Sequence, residues 1–403
     1  MHEPPPNAFF VSDEYARFDY GAAHPMRISR LALTVEVVRA CGLLDGPGIR
    51  VLPAETASDE DLRRFHRPEY LAALRQASSG EAGWDLLRWG LGTGDNPTFP
   101  GLYEYSALLT GATLRAGRLV EGGEVRVAFN IAGGLHHAAA ARASGFCYVN
   151  DAAVLIAELL ARGRRVAYVD IDAHHGDGVQ FGFYDTDRVL TISLHETGET
   201  LFPGTGFPEE TGTGAGEGFS VNVPLAPGTD DEIFLWALEA VVPPLLRAYA
   251  PDLLVTQLGI DTHRTDPLAH LALTIQGFRR AVEVLRGCNL PWVALGGGGY
   301  DLANVPRAWT AAWAVMTGRE IPDLLPAAAR RALEARGIQL TTLSDPPPPP
   351  DARGREEAWR YARASVARIQ ELTFPRFGLR AAGAAPARGE ARRVRSSRRN
   401  LEV

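Results

Sequence analysis

The stretch Val166-Ala-Tyr-Val-Asp-Ile-Asp-Ala-His-His-Gly-Asp-Gly178 constrains the fold more than any other part of the chain. An apolar run of strand character carries Asp170, Asp172 and His174 at alternate positions, then breaks at the glycine-rich turn from Gly176 to Gly178. Alternate positions share one face of a strand, so two carboxylates and an imidazole leave the sheet together, and a carboxylate and an imidazole at i and i+2 can meet one divalent ion. The same residues also read as a strand end followed by a solvated Asp/Gly turn. In both readings the strand carries no charge until its last residue, which places it inside a sheet covered on both faces.

Strand and helix patterns alternate around this stretch. Strand-like runs lie at Phe9-Phe-Val-Ser12 and at 125–129, 189–195, 219–223, 253–258 and 292–295. Helical patterns lie at 27–40, 59–76, 105–120 and 150–160, at 231–248 with a bend or break expected at Pro243-Pro244, and from about residue 305 onward. One large α/β domain with a doubly covered parallel sheet accounts for them. Residues 90–102 and 198–218 are rich in turn formers and must be loops, and Asp95 is the only acid in the first.

With 403 residues, 46% of them hydrophobic, the chain can bury a large core. A net charge of -7 argues against a domain devoted to nucleic acid, although arginines crowd the end of the chain. Cys41, Cys147 and Cys288 give neither a disulfide framework nor a CxxC metal site, which fits a reducing cytoplasm. The N-terminus lacks a signal pattern, and no apolar run approaches the roughly 18 residues of a membrane-crossing helix. The chain therefore divides into a main domain over 1–340, a proline-rich spacer over 341–355 and an extension over 356–380. The extension is partly helical, with Trp359 and Tyr361 as anchors. An arginine-rich tail over 381–403 cannot form a core.

Ligands of open α/β sheets collect beyond the carboxyl ends of the strands. His136 and His137 follow one strand, Asp170, Asp172, His174 and Asp177 a second, and Asp261 and Tyr300 two others. Asp172, His174 and Asp261 would supply two carboxylate oxygens and one nitrogen, leaving room for water and substrate. Asp170 and Asp177 can each orient one histidine of the pair, although a hydrogen-bonded core pair is the plainer reading of His-His alone. Tyr300 follows four glycines and can donate a hydrogen bond to an oxyanion. His66 reads as a packing histidine.

These residues resemble the histone-deacetylase-type amidohydrolases, most closely their bacterial acetoin-utilisation branch. The resemblance rests on His24-Pro25 with Arg27, Gly133-Gly-Leu-His-His-Ala138, Ser144-Gly-Phe-Cys-Tyr-Val-Asn-Asp151 and the stretch from Asp170 to Gly178. It continues through Phe202-Pro-Gly-Thr-Gly206, Gln257-Leu-Gly-Ile-Asp261, Asp266-Pro267 and Gly296-Gly-Gly-Gly-Tyr300. It implies an arginase/deacetylase-like three-layer α/β/α fold with a central eight-stranded parallel sheet. It also implies a protein lysine deacetylase with metal ligands Asp172, His174 and Asp261, and catalytic His136, His137, Asp170, Asp177 and Tyr300. Substrate contacts carry over onto Asp95, Phe146, Phe202, Leu268 and Gly134, with Arg27 beneath the metal on the acetate side. Zinc is the implied metal, with ferrous iron the alternative. A structural K+ or Na+ is implied at Asp170, Asp172, His174, Ser193 and Leu194, and a second at Phe183, Thr186 and Val189.

The segment Thr262-His-Arg-Thr-Asp266 departs from the small Ser/Gly segment of the eukaryotic members and points away from histones. The expected partner is an acetylated protein or peptide, such as a metabolic enzyme of acetate or acetoin metabolism. An acetylpolyamine or another small amide is the alternative within the class. A nucleic-acid-binding scaffold using residues 381–403 is the alternative outside it. No feature of the sequence specifies an oligomeric state.

Overall fold

The structure, a computed structural model, describes residues 5–79, 84–347 and 352–380. Its strands are β1 (Asn7–Val11), β2 (Ile49–Pro53), β3 (Val127–Asn130), β4 (Val166–Asp170), β5 (Val189–Glu196), β6 (Ser220–Leu225), β7 (Leu253–Gln257) and β8 (Trp292–Leu295). They form one eight-stranded sheet in the order β2-β1-β3-β8-β7-β4-β5-β6, with every pairing parallel. Strands β3 to β8 are buried along their whole length, and they carry charge only at a last residue, Asp170 in β4 and Glu196 in β5.

The helices are α1 (Ser29–Ala40), α2 (Asp59–Leu62), α3 (Pro68–Ala77), α4 (Trp84–Leu87), α5 (Leu102–Glu121), α6 (Asp151–Ala161), α7 (Asp177–Gly182), α8 (Asp231–Tyr249), α9 (Ile275–Gly287), α10 (Val305–Thr317), α11 (Ala327–Glu334) and α12 (Ala352–Leu372). One layer joins α3, α5 and α6; the other runs α1-α10-α9-α8-α12. The three-layer α/β/α architecture is therefore the one expected. Trp309 and Trp313 of α10 are fully buried, and Trp313 meets Phe9 of β1 edge-on at 5.2 Å. Truncating Trp313 to alanine costs about 3–5 kcal/mol.

Three local expectations need correction, and one strand went unread. The helical pattern at 59–76 is two helices. Ser58 caps α2 through a reciprocal box with Asp61, and the chain restarts at Pro68, whose missing N–H is harmless in a first turn. Helix α8 runs undivided through Pro243 and Pro244 because Val241, Val242, Leu245 and Leu246 are buried around them, and this packing outweighs the lost backbone bonds. Strand β2 was not legible, since Arg50 interrupts its apolar pattern at the sheet edge. Strand β4 ends at Asp170, so Asp172 and His174 lie in the following loop and not on the pleat itself.

The C-terminal helix α12 lies against β6 and α8. Trp359 meets Trp236 edge-on at 5.5 Å, and the Tyr361 hydroxyl donates to Thr197 Oγ1 at 2.8 Å, so both expected anchors engage. The prolines from 348 to 350 and the tail 381–403 lie outside the described residues. No helix among the described residues is long and apolar enough to cross a membrane.

Candidate active site

Strands β3, β8, β7 and β4 are consecutive neighbours in the sheet, and their C-terminal ends deliver His136 and His137, Tyr300, Asp261, and the Asp170 to Asp177 segment. Beyond β3 the chain turns at Gly134, which has φ of 90°. The Asp151 carboxylate at the start of α6 accepts the amides of Gly134 and Leu135 at 3.0 and 2.9 Å, fixing the loop that presents both histidines. The Gly134 carbonyl accepts a bond from Gln257 at 3.3 Å.

Asp172, His174 and Asp261 converge, buried, with ligand atoms within 4.8 Å of one another. His174 Nδ1 lies 3.1 Å from Asp172 Oδ1 and 3.0 Å from Asp261 Oδ2. Burial and the adjacent Asp172 charge push Asp261 up to about 8. Burial also opposes ionisation of Asp172, but the His136 charge and the His174 hydrogen bond outweigh it and hold Asp172 well below the usual carboxylate range. Two buried carboxylates in contact resist ionising together, and a divalent cation removes that conflict. A Cβ at Gly298 would collide with Asp261 Oδ2 and crowd Asp172 Oδ2, so the glycine keeps this space open. The donor set therefore suits a divalent metal ion. Gln257 Nε2 and the Gly298 amide donate to the second oxygen of Asp172 at 2.6 and 2.9 Å, orienting it.

His136 Nδ1 lies 2.7 Å from Asp170 Oδ2, and His137 Nδ1 lies 2.7 Å from Asp177 Oδ1. The Tyr168 hydroxyl also donates to Asp170, at 2.6 Å. Burial works against a charged His136, but the carboxylates of Asp170 and Asp172 outweigh it and raise the ring to about 9. Burial, reinforced by the His136 charge, lowers His137 to about 4. One ring is thus set up as the proton carrier and its neighbour as the free base. Burial, followed by the charges of Asp261 and Asp172, holds the Tyr300 phenol well above its ordinary value, so it remains a donor.

Aromatic rings flank this cluster. Phe146 lies 5.5 Å from Tyr300 edge-on, and Phe202 lies 5.1 Å from His137 and 6.4 Å from His174. Phe146 has φ of 68°, a conformation costly outside glycine, and the Tyr20 hydroxyl grips its carbonyl at 2.8 Å. Phe202 is 45% exposed and forms the outer edge. The residues expected at the rim connect to these groups by different routes. The Asp95 carbonyl lies 3.2 Å from His24 Nε2, and His24 stacks edge-on against Phe146 at 4.6 Å. Half-buried Leu268 donates its amide to Asp266 Oδ1 at 2.9 Å.

Arg27 does not lie beneath the metal cluster: it is exposed, on a surface groove it shares with Asp13, Asp19 and Arg39. Arg30, three residues on, is buried, and it donates to the carbonyls of Gly299 and Gly297 at 2.8 and 2.7 Å. Helical spacing carries the signal that separates them, because Arg30 shares the buried face of α1 with Thr34 and Val37. Sequence reasoning named Asp151, Gln257 and Asp266 within the matching segments without giving them a role and passed over Tyr20; their work is to hold backbone and first ligands. Asp266 is nearly buried, and burial raises its carboxyl to about 6 against the amides it accepts. His66 is a buried packing histidine, its Nε2 accepting the Asn150 amide at 2.9 Å.

The positions expected to hold monovalent cations lie in and between β4 and β5. Ser193 pairs in register with Asp170 and its hydroxyl lies 2.8 Å from His195 Nδ1; Leu194 follows it on β5. Phe183 ends α7, Val189 opens β5, and half-buried Thr186 lies between them.

Comparison with known proteins agrees with this geometry. The histone deacetylase domain matches residues 24–316. The acetoin utilization protein AcuC of Bacillus subtilis strain 168 is 40% identical over 328 residues, covering 78% of this chain and 84% of its own. Histone deacetylase B of Dictyostelium discoideum is 40% identical over 320 residues, covering 79% of this chain and 75% of its own. The crystal structure of an HDAC homologue from Aquifex aeolicus superposes with a TM-score of 0.82 at 35% identity, covering 90% of this chain and all of that one. An HDAC homologue complexed with SAHA gives 0.81 at the same identity and coverage. The chain carries the architecture of a metal-dependent, deacetylase-like hydrolase, and it belongs to the histone deacetylase family.

Proposed function

We propose that this protein is a zinc-dependent lysine deacetylase that hydrolyses N6-acetyl-lysine in a protein to lysine and acetate. The observation that carries the reading is that His137, oriented by Asp177, stands beside the three-ligand cluster, with Phe202 against His137 and Phe146 against Tyr300. Phe146 beside Tyr300 and Phe202 beside His137 and His174 would flank an unbranched methylene chain ending in a small amide. Two oxygens and one nitrogen suit zinc, and ferrous iron as well. A divalent cation held by Asp172, His174 and Asp261 supplies Lewis acidity, which acidifies water and polarises an amide carbonyl.

The chain's own groups do the rest. His137 Nε2 takes the proton of the attacking water as the new C–O bond forms. Tyr300 donates its hydroxyl hydrogen bond to the oxyanion. As the C–N bond breaks, the proton held by the histidine pair passes to the leaving amine, and Asp170 and Asp177 hold the rings in place throughout. Asp95 at the mouth would bind the substrate backbone, and Gly134 and Leu268 would line the way in.

The likeness to the acetoin utilization protein supports a role in acetoin metabolism, and a metabolic enzyme as the acetylated target and a cytoplasmic site of action belong to the same proposal. Potassium or sodium bound along β4 and β5 belongs to the same proposal. A competition between an acetyl-lysine peptide and an acetylpolyamine tests the substrate class. Leu268 offers no carboxylate to a polyamine, so the peptide should have the higher kcat/KM, and preference for the polyamine would overturn the assignment. Deleting residues 381–403 should leave salt-dependent nucleic-acid retention unchanged; its loss would assign the tail a nucleic-acid contact.

A further inference from the structure

Tyr300 follows Gly296 to Gly299, a segment with no side chains to anchor it and with φ of 114° at Gly297 and 129° at Gly299. Its position is therefore set by whatever grips the backbone. Arg30 holds the carbonyls of Gly297 and Gly299, and Asp172 accepts the Gly298 amide. The amide of Tyr300 itself donates to Asp266 Oδ2 at 2.8 Å.

The other oxygen of the same carboxylate accepts the Leu268 amide at 2.9 Å. Asp266 is only 8% exposed, and its own amide donates to the His263 carbonyl at 2.8 Å. The segment that carries it is braced, since Arg264 and Leu273 exchange backbone bonds with Leu273 and Thr262 at 3.0 and 3.1 Å. Two N–H groups on one nearly buried carboxylate form charge-assisted bonds, the strong kind. They join two points far apart in sequence: the phenol's backbone at the reacting end and the Leu268 backbone at the rim.

We propose that Asp266 is a positioning residue of the reaction, fixing Tyr300 and Leu268 as one unit so that the oxyanion donor and the rim keep a constant relation to each other. The proposal rests on the reading of Tyr300 as the oxyanion donor. Asp266 touches no reacting atom. Its influence on turnover passes through the Tyr300 hydroxyl, whose small displacement is costly because a misplacement of about 1 Å can lower a rate about a hundredfold. Asp266→Asn is nearly isosteric, but its amide group turns a donor toward one of the two N–H groups.

Two measurements on the full-length, metal-loaded protein test this. The first is a double-mutant cycle on acetate release from an acetyl-lysine peptide, with bound metal quantified in every variant. Asp266→Asn should lower kcat by about tenfold to a hundredfold when Tyr300 is present and by less than about threefold in a Tyr300→Phe background. An equal loss in both backgrounds would overturn the proposal, because a merely structural role does not depend on the phenol. The second is residue-resolved amide hydrogen exchange, which needs no turnover. In wild type the amides of Tyr300 and Leu268 should be protected to a similar degree, and both should exchange at least about tenfold faster in Asp266→Asn. Free-loop exchange at either amide in wild type, or unchanged rates in the variant, would overturn the proposal even if the variant folds poorly. Wild type that releases no acetate from the peptide would instead count against the deacetylase reading, while the exchange data would still decide the role of Asp266.

Discussion

His136 Nε2 and His137 Nε2 lie 3.0 Å apart, while the Nδ1 atom of each ring faces its own carboxylate at 2.7 Å. With both Nδ1 atoms donating outward, the resting pair holds one proton between its inner nitrogens, and His137 takes a second only as water attacks. The environment decides its place: Asp170 and Asp172 raise His136 against its burial, whereas burial and the His136 charge lower His137. The pair is built to carry one proton and one lone pair at the same time.

The pH dependence of kcat/KM follows from that asymmetry. Activity requires a neutral His137, which exists above about 4, and a protonated His136, which exists below about 9. A bound cation adds positive charge and moves both limits downward, so the profile should be a bell with limbs at or below those values. Asp170→Asn removes the carboxylate that does most to raise His136, and the alkaline limb should move to lower pH. A profile recorded for both proteins checks this; an alkaline limb unmoved by the substitution would contradict the assignment.

Gly298→Ala should abolish metal retention without unfolding the sheet. The new Cβ would collide with Asp261 Oδ2 and crowd Asp172 Oδ2, while the backbone there has an ordinary φ. Metal content after gel filtration, read beside the circular dichroism spectrum, gives the answer. Full metal occupancy in the folded variant would mean that the ligands can be rearranged at little cost.

Asp345 ties the start of the proline run to α9, α10 and the segment that follows Asp261. It accepts the Ile275 amide at 2.8 Å and the Arg307 guanidinium at 2.9 Å, and it lies 2.8 Å from His263 Nε2. Burial would raise its carboxyl, but the His263 and Ile275 hydrogen bonds and the Arg307 charge outweigh it and depress the carboxyl far below the usual range. A depressed carboxylate contributes stability that is complete above its unfolded value and fades as pH falls through the folded one. Asp345→Ala leaves Arg307 buried and unpaired, so it should cost about 3–5 kcal/mol near neutral pH and progressively less in acid. Thermal melts from neutral pH down to pH 3 measure this, and a difference that grows on acidification would have the wrong sign.

Much of this molecule was legible in its residues, and what was missed has a common physical cause. Apolar runs ending in Asp170, Gly259 and Gly296 gave the strands, because a strand buried on both faces cannot carry charge before its end. The metal ligands and histidines stood out because these residue types are costly to bury without a task. Arg30 and Asp266 were harder to find, since their work is done on backbone atoms of distant segments. Arg27 precedes α1 and Arg30 lies in its first turn, and the buried face of the helix decides between them only once its periodicity is counted. Strand β2 escaped because an edge strand needs no apolar pattern.

The most direct measurement is acetate release from an acetyl-lysine peptide by wild type and by Tyr300→Phe, each assayed as prepared, after chelation and after zinc is restored. Wild type should lose turnover on chelation and regain it with zinc, while the variant should keep its metal and turn over about a hundredfold to a thousandfold more slowly. Turnover that survives removal of the metal, or a metal-loaded Tyr300→Phe variant as fast as wild type, would contradict the account.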